Sequence, residues 1–499
     1  LPDTAKSIRA GTKDNPTFKA FTALRSLSGV GVETIGDWAF DGCASLTSVS
    51  LPMATTIGEG AFRGCTSLTE MSLLVATDIG DYAFSGTSLT SVSLPVATTV
   101  SGFDGCTSLT SVNLPVATTI GYEAFRGCTS LISVSLPVAT SIGESAFRNC
   151  TNLTSVSLPA ATSIGGDAFS GTSLTSVSLP AATSISAYAF RGCASLTEVS
   201  LPVVTTVGGD AFSGTKLTAV NLPLATDIGD YAFSGTSLTS VSLPVATTIS
   251  AYTFRGCASL TSVSLPAVTT IGDRTSYGAT TYSGAFSGTK LTTVYLPAAT
   301  TIGSSAFYGC TSLTTVSLPA ATFISVGAFE GCTSLTEVSL PAATTIRGGA
   351  FSRCTSLTEV SLPVATTIGD HAFSRCTSLT TVSLPAATTI DVQAFYDCTS
   401  LTSVSLPMAQ TIGDDAFWSC TSLTEVSLPA TPPSIPTGDW NYGIFYSTNA
   451  DGTITIRVPT GAVSTYTSTW NVSAETAAGG NTSVYGYQHK AVIITDAAQ

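Results

Sequence analysis

Charged side chains are scarce in this sequence. Asp, Glu, Lys and Arg make up only 10% of the 499 residues, and 31 acidic residues outnumber 18 basic ones. Proteins that bind nucleic acids gather Lys and Arg into patches that pair with phosphates, so this acidic chain is not expected to bind nucleic acid. No apolar run approaches the roughly 20 residues of a membrane-spanning helix, so no membrane span is expected.

Groups that commonly carry catalysis or hold metals are also few. Only two histidines occur, His371 and His489, and the cysteines never form a Cys-x-x-Cys pair. The sequence also lacks the usual spacing of zinc ligands and the glycine-rich loop that cradles phosphates. We therefore predict no catalytic, cofactor-binding or metal-ligating residue and no cofactor, and we expect that the chain is not an enzyme.

One repeated unit accounts for most of the chain. It reads L-P-x-A-T-T-I-G-x-x-A-F-x-G-C-T-S-L-T-x-V-S, as in Leu51 to Ser72, and is about 22 residues long. A period of this length is typical of a solenoid built from stacked coils. The phenylalanine of the unit marks eighteen coils: Phe40, Phe62, Phe84, Phe103, Phe125, Phe147, Phe169, Phe190, Phe212, Phe233, Phe254, Phe286, Phe307, Phe329, Phe351, Phe373, Phe395 and Phe417.

The apolar positions within the unit predict short strands instead of helices. From Leu68 to Leu73, the apolar residues alternate on a period of two after the first step, which indicates a short strand with Leu and Val inward and Ser outward. Proline ends this strand, A-T-T-I is a second extended piece, and glycine permits the turn that returns A-F to the core. A lone coil buries too few side chains to offset the entropy of ordering it, so the coils must stack with parallel strands.

The pattern L-x-x-V-x-L-P…I-G-x-x-A-F-x-G-C-x-x-L resembles the BspA-like (treponemal-type) leucine-rich repeat over about Leu24 to Pro429. The sequence departs from that pattern at Leu74, which replaces proline, in five units without cysteine, and in ten extra residues before Phe286. The resemblance implies a β-rich solenoid: a right-handed leucine-rich-repeat stack of about 18 coils of ~22 residues, with parallel β-sheet, short terminal caps and no long helices.

The same resemblance implies a function. It indicates an extracellular or cell-surface protein that mediates adhesion by binding proteins or glycans, since several members of the family bind host matrix proteins. The alternative is a structural spacer, or a self-assembling subunit of a filament or surface layer, with no small-molecule ligand. Fold alone does not decide between these functions.

Both ends of the chain depart from the unit and are predicted to be caps. Residues 1–17 are assigned to the N-terminal cap, 18–429 to the solenoid and 430–499 to the C-terminal cap. Phe18 and Phe21 fall at the phenylalanine and cysteine offsets of a degenerate first coil. A cap is expected at each end because a terminal coil exposes the edge of its sheet.

The C-terminal cap contains its own predicted elements. A strand is predicted at Ile454 to Val458, a short helix within Gly461 to Trp470, and one more strand at Ala491 to Thr495. Self-association through the solenoid ends is a further expectation, because a mismatched end can propagate into a filament.

All thirteen cysteines occupy one position of the unit: Cys43, Cys65, Cys106, Cys128, Cys150, Cys193, Cys257, Cys310, Cys332, Cys354, Cys376, Cys398 and Cys420. An odd number in one column favours buried thiols that act as small apolar core residues. Five units lack the cysteine and are one residue shorter, which we interpret as simple deletion of the cysteine. The alternative is disulfides between adjacent coils, whose Cα atoms would lie close enough to be bridged. A nucleophile formed by Cys376 and His371 is disfavoured because Cys376 belongs to this core column.

Acidic residues gather in the turn before A-F: Asp37, Glu59, Asp81, Glu144, Asp230, Asp370, Asp414 and Asp415. A calcium site along this turn is the alternative to a plain solvated edge. Gly, Ser, Ala and Val interrupt the acidic column, which favours the solvated edge.

The exposed strand positions are almost all Ser or Thr, which do not anchor tight protein binding. A specific extracellular protein or glycan partner is therefore expected where the repeat is broken, above all at the insertion spanning residues 273–284. The predicted partner-binding residues are Arg274, Tyr277 and Tyr282 in the insertion and Tyr295 on the strand of the same coil. The tyrosine-rich C-terminal cap is the rival site.

Overall fold

The computed structural model describes residues 4–18, 21–272, 284–435, 454–469 and 492–496. It is a parallel-strand β-solenoid of about 18 turns of about 22 residues with almost no helix, which confirms the predicted fold. The chain divides into two compact units, Leu1–Leu243 and Pro244–Gln499. The predicted cap boundaries, after residues 17 and 429, stay predictions.

The alternating stretch of each coil forms a strand of three residues. In the first unit these strands are Ser26–Ser28, Ser48–Ser50, Glu70–Ser72, Ser91–Ser93, Ser111–Asn113, Ser133–Ser135, Ser155–Ser157, Ser176–Ser178, Glu198–Ser200, Ala219–Asn221 and Ser240–Ser242. In the second unit they are Ser262–Ser264, Thr293–Tyr295, Thr315–Ser317, Glu337–Ser339, Glu359–Ser361, Thr381–Ser383, Ser403–Ser405 and Glu425–Ser427. Equivalent residues pair in parallel, as Val382 does with Val404, and both of these valines are buried in the core.

The A-T-T-I stretch forms a second strand of two residues. Eleven such strands make one parallel sheet in the first unit: Ser7–Ile8, Thr34–Ile35, Thr56–Ile57, Asp78–Ile79, Thr99–Val100, Thr119–Ile120, Ser141–Ile142, Ser163–Ile164, Ser184–Ile185, Thr206–Val207 and Asp227–Ile228. Eight make a sheet in the second unit: Thr248–Ile249, Thr270–Ile271, Thr301–Ile302, Phe323–Ile324, Thr345–Ile346, Thr367–Ile368, Thr389–Ile390 and Thr411–Ile412.

The core consists of columns of identical side chains, one from each coil. The coil of Phe62 shows the pattern, with these side chains at 0% exposure: Leu51, Ala54, Ile57, Ala61, Phe62, Cys65 and Leu68. Phenylalanine ring centroids lie 5.2–5.4 Å apart from Phe40 to Phe233 in the first unit. They lie 5.1–5.4 Å apart from Phe254 to Phe417 in the second. This spacing is close to the roughly 4.8 Å between paired strands, so each coil contributes one ring to the stack.

The two predicted strands and the helix of the C-terminal region are present, with small shifts in their bounds. Strand Ile454–Val458 pairs in parallel with Glu425–Ser427 and with Val492–Asp496. The helix spans Val463–Thr469 and buries Tyr466 fully, with its hydroxyl donating to Pro429 O at 2.8 Å.

The first coil follows the repeat in its backbone but not in every side chain. The Phe18 ring stacks on Phe40 at 4.6 Å, as its offset predicts. Phe21 also makes the expected turn, donating its N–H to Phe18 O at 2.9 Å, yet its side chain is 52% exposed. The space that a thiol fills in later coils is too small for a benzyl group, so Phe21 is not part of the core column.

Candidate functional site

The outer face of the three-residue strands carries small hydroxyl groups that support the stack. In many coils the threonine just before the strand donates its hydroxyl to the carbonyl oxygen of the equivalent residue in the preceding coil. Thr314 Oγ1 lies 2.9 Å from Thr292 O, and Thr402 Oγ1 lies 3.1 Å from Thr380 O. These donors are therefore engaged within the chain, and the face has few large side chains to offer a partner.

Tyr295 is an exception on this face. It pairs with Ser317 of the next strand and is 64% exposed, so it projects outward from the three-residue strands. Arg274, Tyr277 and Tyr282 lie outside the described residues. Their grouping with Tyr295 therefore stays a prediction.

Larger and more varied side chains lie along the turn between Ile and A-F. The residue before the alanine has a positive φ in coil after coil: 53° at Trp38, 58° at Tyr82, 63° at Tyr188 and 55° at His371. The same left-handed backbone conformation therefore recurs at this position although these residues are not glycine. We name this position, together with the residue after each repeat phenylalanine, the turn edge.

In the first unit the turn edge pairs arginines with aromatic rings and carboxylates. The Arg63 guanidinium lies 5.6 Å from the Trp38 ring centroid, and the Arg191 guanidinium lies 5.3 Å from that of Tyr188. Arg148 Nε lies 3.9 Å from Asp167 Oδ1. Stacking of a guanidinium on an aromatic face holds both side chains in place through a cation–π attraction.

The most connected part of the turn edge surrounds Glu123. Arg126 Nη1 donates to Glu123 Oε1 at 2.7 Å, and the Tyr82 hydroxyl donates to Glu123 Oε2 at 3.3 Å. Ser85 Oγ donates to Asp104 Oδ2 at 3.3 Å. Burial, and next the negative charge of Glu123, raise the pKa of the Asp104 carboxyl above its ordinary value.

In the second unit the turn edge is similar in kind. The Arg255 guanidinium lies 6.0 Å from the Tyr252 ring centroid, and the rings of Tyr396 and Trp418 lie 6.1 Å apart. His371 is exposed on this edge. Cys376 is fully buried and its Sγ lies 3.2 Å from Phe351 O, while burial raises the pKa of its thiol to about 12. A thiol of this kind is a poor nucleophile, so Cys376 and His371 do not form a catalytic pair.

The thirteen cysteines are all buried, which confirms their predicted place in the core. Where the bond is described, each Sγ contacts the phenylalanine carbonyl oxygen of the preceding coil, at distances from 3.0 Å for Cys150 to 3.8 Å for Cys43. Burial raises the pKa of the Cys106 and Cys310 thiols to about 11.

The five units without cysteine do not lose the core position. In them a threonine takes the place of the cysteine, and it is buried at 2–4% exposure: Thr87, Thr172, Thr215, Thr236 and Thr289. Thr87 Oγ1 donates to Phe84 O at 2.9 Å and lies 3.2 Å from the Cys106 sulfur. The interpretation that the cysteine is simply deleted is therefore wrong. The lost residue belongs to the exposed turn that follows, where Thr66 and Ser67 lie in a full-length coil.

Within the described part of the chain, no three His, Cys, Asp or Glu residues are grouped so that they could hold a metal ion. Among the same residues, no helix is long and apolar enough to cross a bilayer.

The match to known repeats extends along most of the chain. Residues 2–102, 77–184, 183–280, 279–389 and 322–449 match the family described as BspA type leucine rich repeat region (6 copies). The chain belongs to this family. The resemblance inferred from the repeated motif is thereby confirmed.

Several solved structures are similar to this BspA-type chain. A leucine-rich repeat protein from Bacteroides ovatus ATCC 8483 is 25% identical, with a TM-score of 0.41 and coverage of 81% of this chain and 86% of that one. The T. pallidum leucine rich repeat protein is 27% identical, with a TM-score of 0.23 and coverage of 42% and 75%. A leucine rich cell surface protein from Faecalibacterium prausnitzii A2-165 is 19% identical, with a TM-score of 0.26 and coverage of 85% and 82%. No curated protein matches the chain.

The aromatic and arginine side chains of the turn edge were not predicted as binding residues. Each of these side chains is flanked in the sequence by residues of the repeat and does not stand out. Arg63 lies over Trp38, 25 positions earlier in the sequence, only because the coils stack. A signal was present, since these are the positions of the BspA-type unit that change most from copy to copy.

Proposed function

We propose that this BspA-type protein is secreted or displayed at the cell surface, where it mediates adhesion by binding an extracellular protein or glycan through its turn edge. The observation that carries the proposal is the concentration of Trp, Tyr and Arg side chains on that edge. These residues dominate the energetics of protein interfaces. The leucine-rich repeat solenoid is also typically a binding scaffold without enzymatic activity, so binding is proposed instead of catalysis.

The pairing of these side chains favours binding further. Arg63 and Arg191 each lie over an aromatic ring, which limits their motion before any partner arrives. Side chains that are already ordered lose less conformational entropy when an interface forms. The surface location is supported by membership of the family and by a surface of Ser and Thr with few charges.

Binding to a panel of purified matrix proteins and glycans tests the proposal. The informative variant combines Arg63→Ser with Arg191→Ser, because Ser85 and Ser170 occupy the equivalent position in other coils. We expect at least a tenfold loss of affinity for a bound partner, since two interface anchors are removed.

The matched control combines Ser155→Ala with Ser176→Ala on the three-residue strands, and it should bind as the unaltered chain does. Equal loss in both variants would contradict binding through the turn edge. Loss of binding only on deletion of residues 274–283 would assign the site to the insertion, with its Arg274, Tyr277 and Tyr282, instead.

A structural spacer or self-assembling subunit remains the second candidate. It is favoured by the three-residue strand face, whose threonine donors are engaged within the stack. Light scattering and negative-stain microscopy test it: defined assemblies, together with no binding to any panel member, would support this function and contradict the first.

A further inference from the structure

The coil of Phe103 lacks the turn residues that every neighbouring coil has. Its chain runs Val100-Ser101-Gly102-Phe103, so Gly102 stands where other coils have alanine. Phe84 donates its N–H to Gly102 O at 2.7 Å, just as Phe62 donates to Ala83 O at 2.7 Å. Gly102 has a φ of 92°, and a Cβ there would lie 2.5 Å from Gly80 O. Only glycine permits this shortened turn.

The shortening removes one backbone hydrogen-bond rung from the turn edge. In intact coils the residue before alanine donates its N–H to the turn carbonyl of the next coil, as Trp38 does to Glu59 O at 2.7 Å. Gly60 donates in the same way to Asp81 O at 2.9 Å. Tyr82 N–H and Tyr122 C=O are the groups left facing the missing turn, and neither has a backbone partner among the described residues.

The gap is confined to the edge, because the core beneath it is continuous. The Phe103 ring lies 5.3 Å from that of Phe84 and 5.4 Å from that of Phe125, so the coil keeps its level in the stack. The gap is therefore one level thick, about 4.8 Å. We name it the notch, and its residues are Tyr82, Asp104, Tyr122 and Glu123.

The missing group is one peptide unit. In an intact turn the carbonyl that accepts from the preceding coil and the N–H that donates to the following coil belong to the same peptide bond, and a trans peptide points them in opposite directions. A group that fills the notch must therefore offer an acceptor to Tyr82 N–H on the side of the preceding coil. It must also offer a donor to Tyr122 C=O on the side of the following coil. An extended peptide of another chain supplies this pair, as in strand addition to a sheet edge.

The side chains of the notch favour a cationic residue on that peptide. Asp104 and Glu123 provide two carboxylates, and Arg126 is the cation paired with Glu123. The hydrogen bond from Tyr82 to Glu123 is long, at 3.3 Å, and is therefore weaker than a charge-assisted bond from a cationic donor. The chain as a whole carries a net charge of −13, which also attracts a basic segment.

We propose that the notch binds one peptide unit of an extended segment of a partner protein, with a Lys or Arg side chain of that segment directed at Asp104 and Glu123. This inference rests on the proposed function, because it specifies the chemistry of the partner at the turn edge. The principal binding site on the described part of the turn edge is then the shortened coil of Phe103, whose turn differs from those of its neighbours.

Saturation-transfer NMR with the probe peptide acetyl-Gly-Ser-Lys-Ser-Gly-amide tests the inference, because its signals are read from the peptide and it detects weak binding to the full chain. The lysine methylenes should receive saturation from the unaltered protein. Inserting Gly-Asp between Ser101 and Gly102, as in the Gly166–Asp167 turn, restores the rung and should lower the signal at least fivefold. Asp104→Ser should lower it at least threefold, whereas the matched Asp41→Ser, in a coil with an intact turn, should not change it.

The peptide controls separate the backbone from the charge. Replacing the lysine of the probe by glutamate, or methylating the amide nitrogen of the residue after it, should each abolish the transfer. No transfer to the unaltered protein would mean that the notch holds only water, and equal transfer to the insertion variant would place the peptide elsewhere; both results overturn the inference. Because no panel partner is needed, these outcomes are independent of the test of the turn edge. A matrix protein that requires Arg63 and Arg191 but binds the insertion variant equally well would sustain the proposed function and refute the notch.

Discussion

Replacing Phe147 by alanine tests whether the phenylalanine column holds the stack together. Phe147 is fully buried, and its ring lies 5.4 Å from Phe125 and 5.3 Å from Phe169. Truncating a buried phenylalanine to alanine lowers the free energy of unfolding by about 3–5 kcal/mol. The two ring contacts, each worth about 0.5–1.5 kcal/mol, place the expected loss toward the upper end of this range.

A loss of this size should also divide the stack, because each coil contacts only its neighbours. Urea unfolding followed by far-UV circular dichroism should show a lower midpoint and a broader transition in F147A. Limited trypsin digestion should cleave first after Arg126 and Arg148, which lie in the two coils at the defect. The control is Val138→Ala, whose side chain is 41% exposed and should change stability by less than about 0.5 kcal/mol. If F147A and V138A unfold at the same midpoint, the column does not stabilise the stack in the way described.

Three further predictions concern single positions. Thiol reagents should label the buried native cysteines far more slowly than the unfolded ones, as followed by mass spectrometry, and equal labelling rates in both states would contradict this. Burial raises the pKa of the Cys106 thiol from 9.0 to about 11 and favours its neutral form in the folded state, so urea curves should show the unfolding free energy falling from pH 9 toward pH 11, whereas this thiol adds no pH dependence below pH 9. Arg375 has a φ of 61° where most coils have glycine, so Arg375→Gly should raise the unfolding free energy by about 1 kcal/mol and the reverse change Gly331→Arg should lower it, by urea midpoint. Thr87→Val should lower stability by about 1 kcal/mol because the bond to Phe84 O is lost, whereas Thr87→Cys should be nearly neutral in the same assay; a neutral valine variant would argue against that bond.

The core could be predicted from the sequence because its signal is periodic. Every stacked phenylalanine was placed by its offset, and parallel pairing followed from coils that cannot fold singly. One position is an exception. Comparison of residue types alone placed the deletion on the cysteine, although Thr87 is buried at the equivalent position and donates to the phenylalanine carbonyl oxygen of its own coil. Threonine and cysteine have similar side-chain volumes, so either can occupy this core position. A sequence motif defined by residue type separates the two.

The turn edge was harder to predict, for a conformational reason. A positive φ is expected at glycine, but here Tyr82, Glu123 and His371 have that conformation. These residue types do not predict a left-handed backbone. The contact between Tyr82 and Glu123 joins residues 41 apart in the sequence across a coil that contributes no turn. The missing residues are visible in the sequence, whereas the groups that their absence leaves unpaired are visible only once neighbouring coils are stacked.

The bonds between coils also bear on how such a gene can change. Within the second unit, neighbouring coils meet through the same donors and acceptors: Phe329 N–H donates to Ala350 O at 2.8 Å, and Phe351 N–H donates to Ala372 O at 2.8 Å. Unequal recombination between two copies of the repeat therefore rejoins a complete junction, provided that whole units are gained or lost. The number of coils can change in this way with little effect on folding. The shortened Phe103 coil is different, because duplication of a neighbouring full-length coil does not restore it once it is lost. Inheritance of the notch would then depend on selection for what it binds.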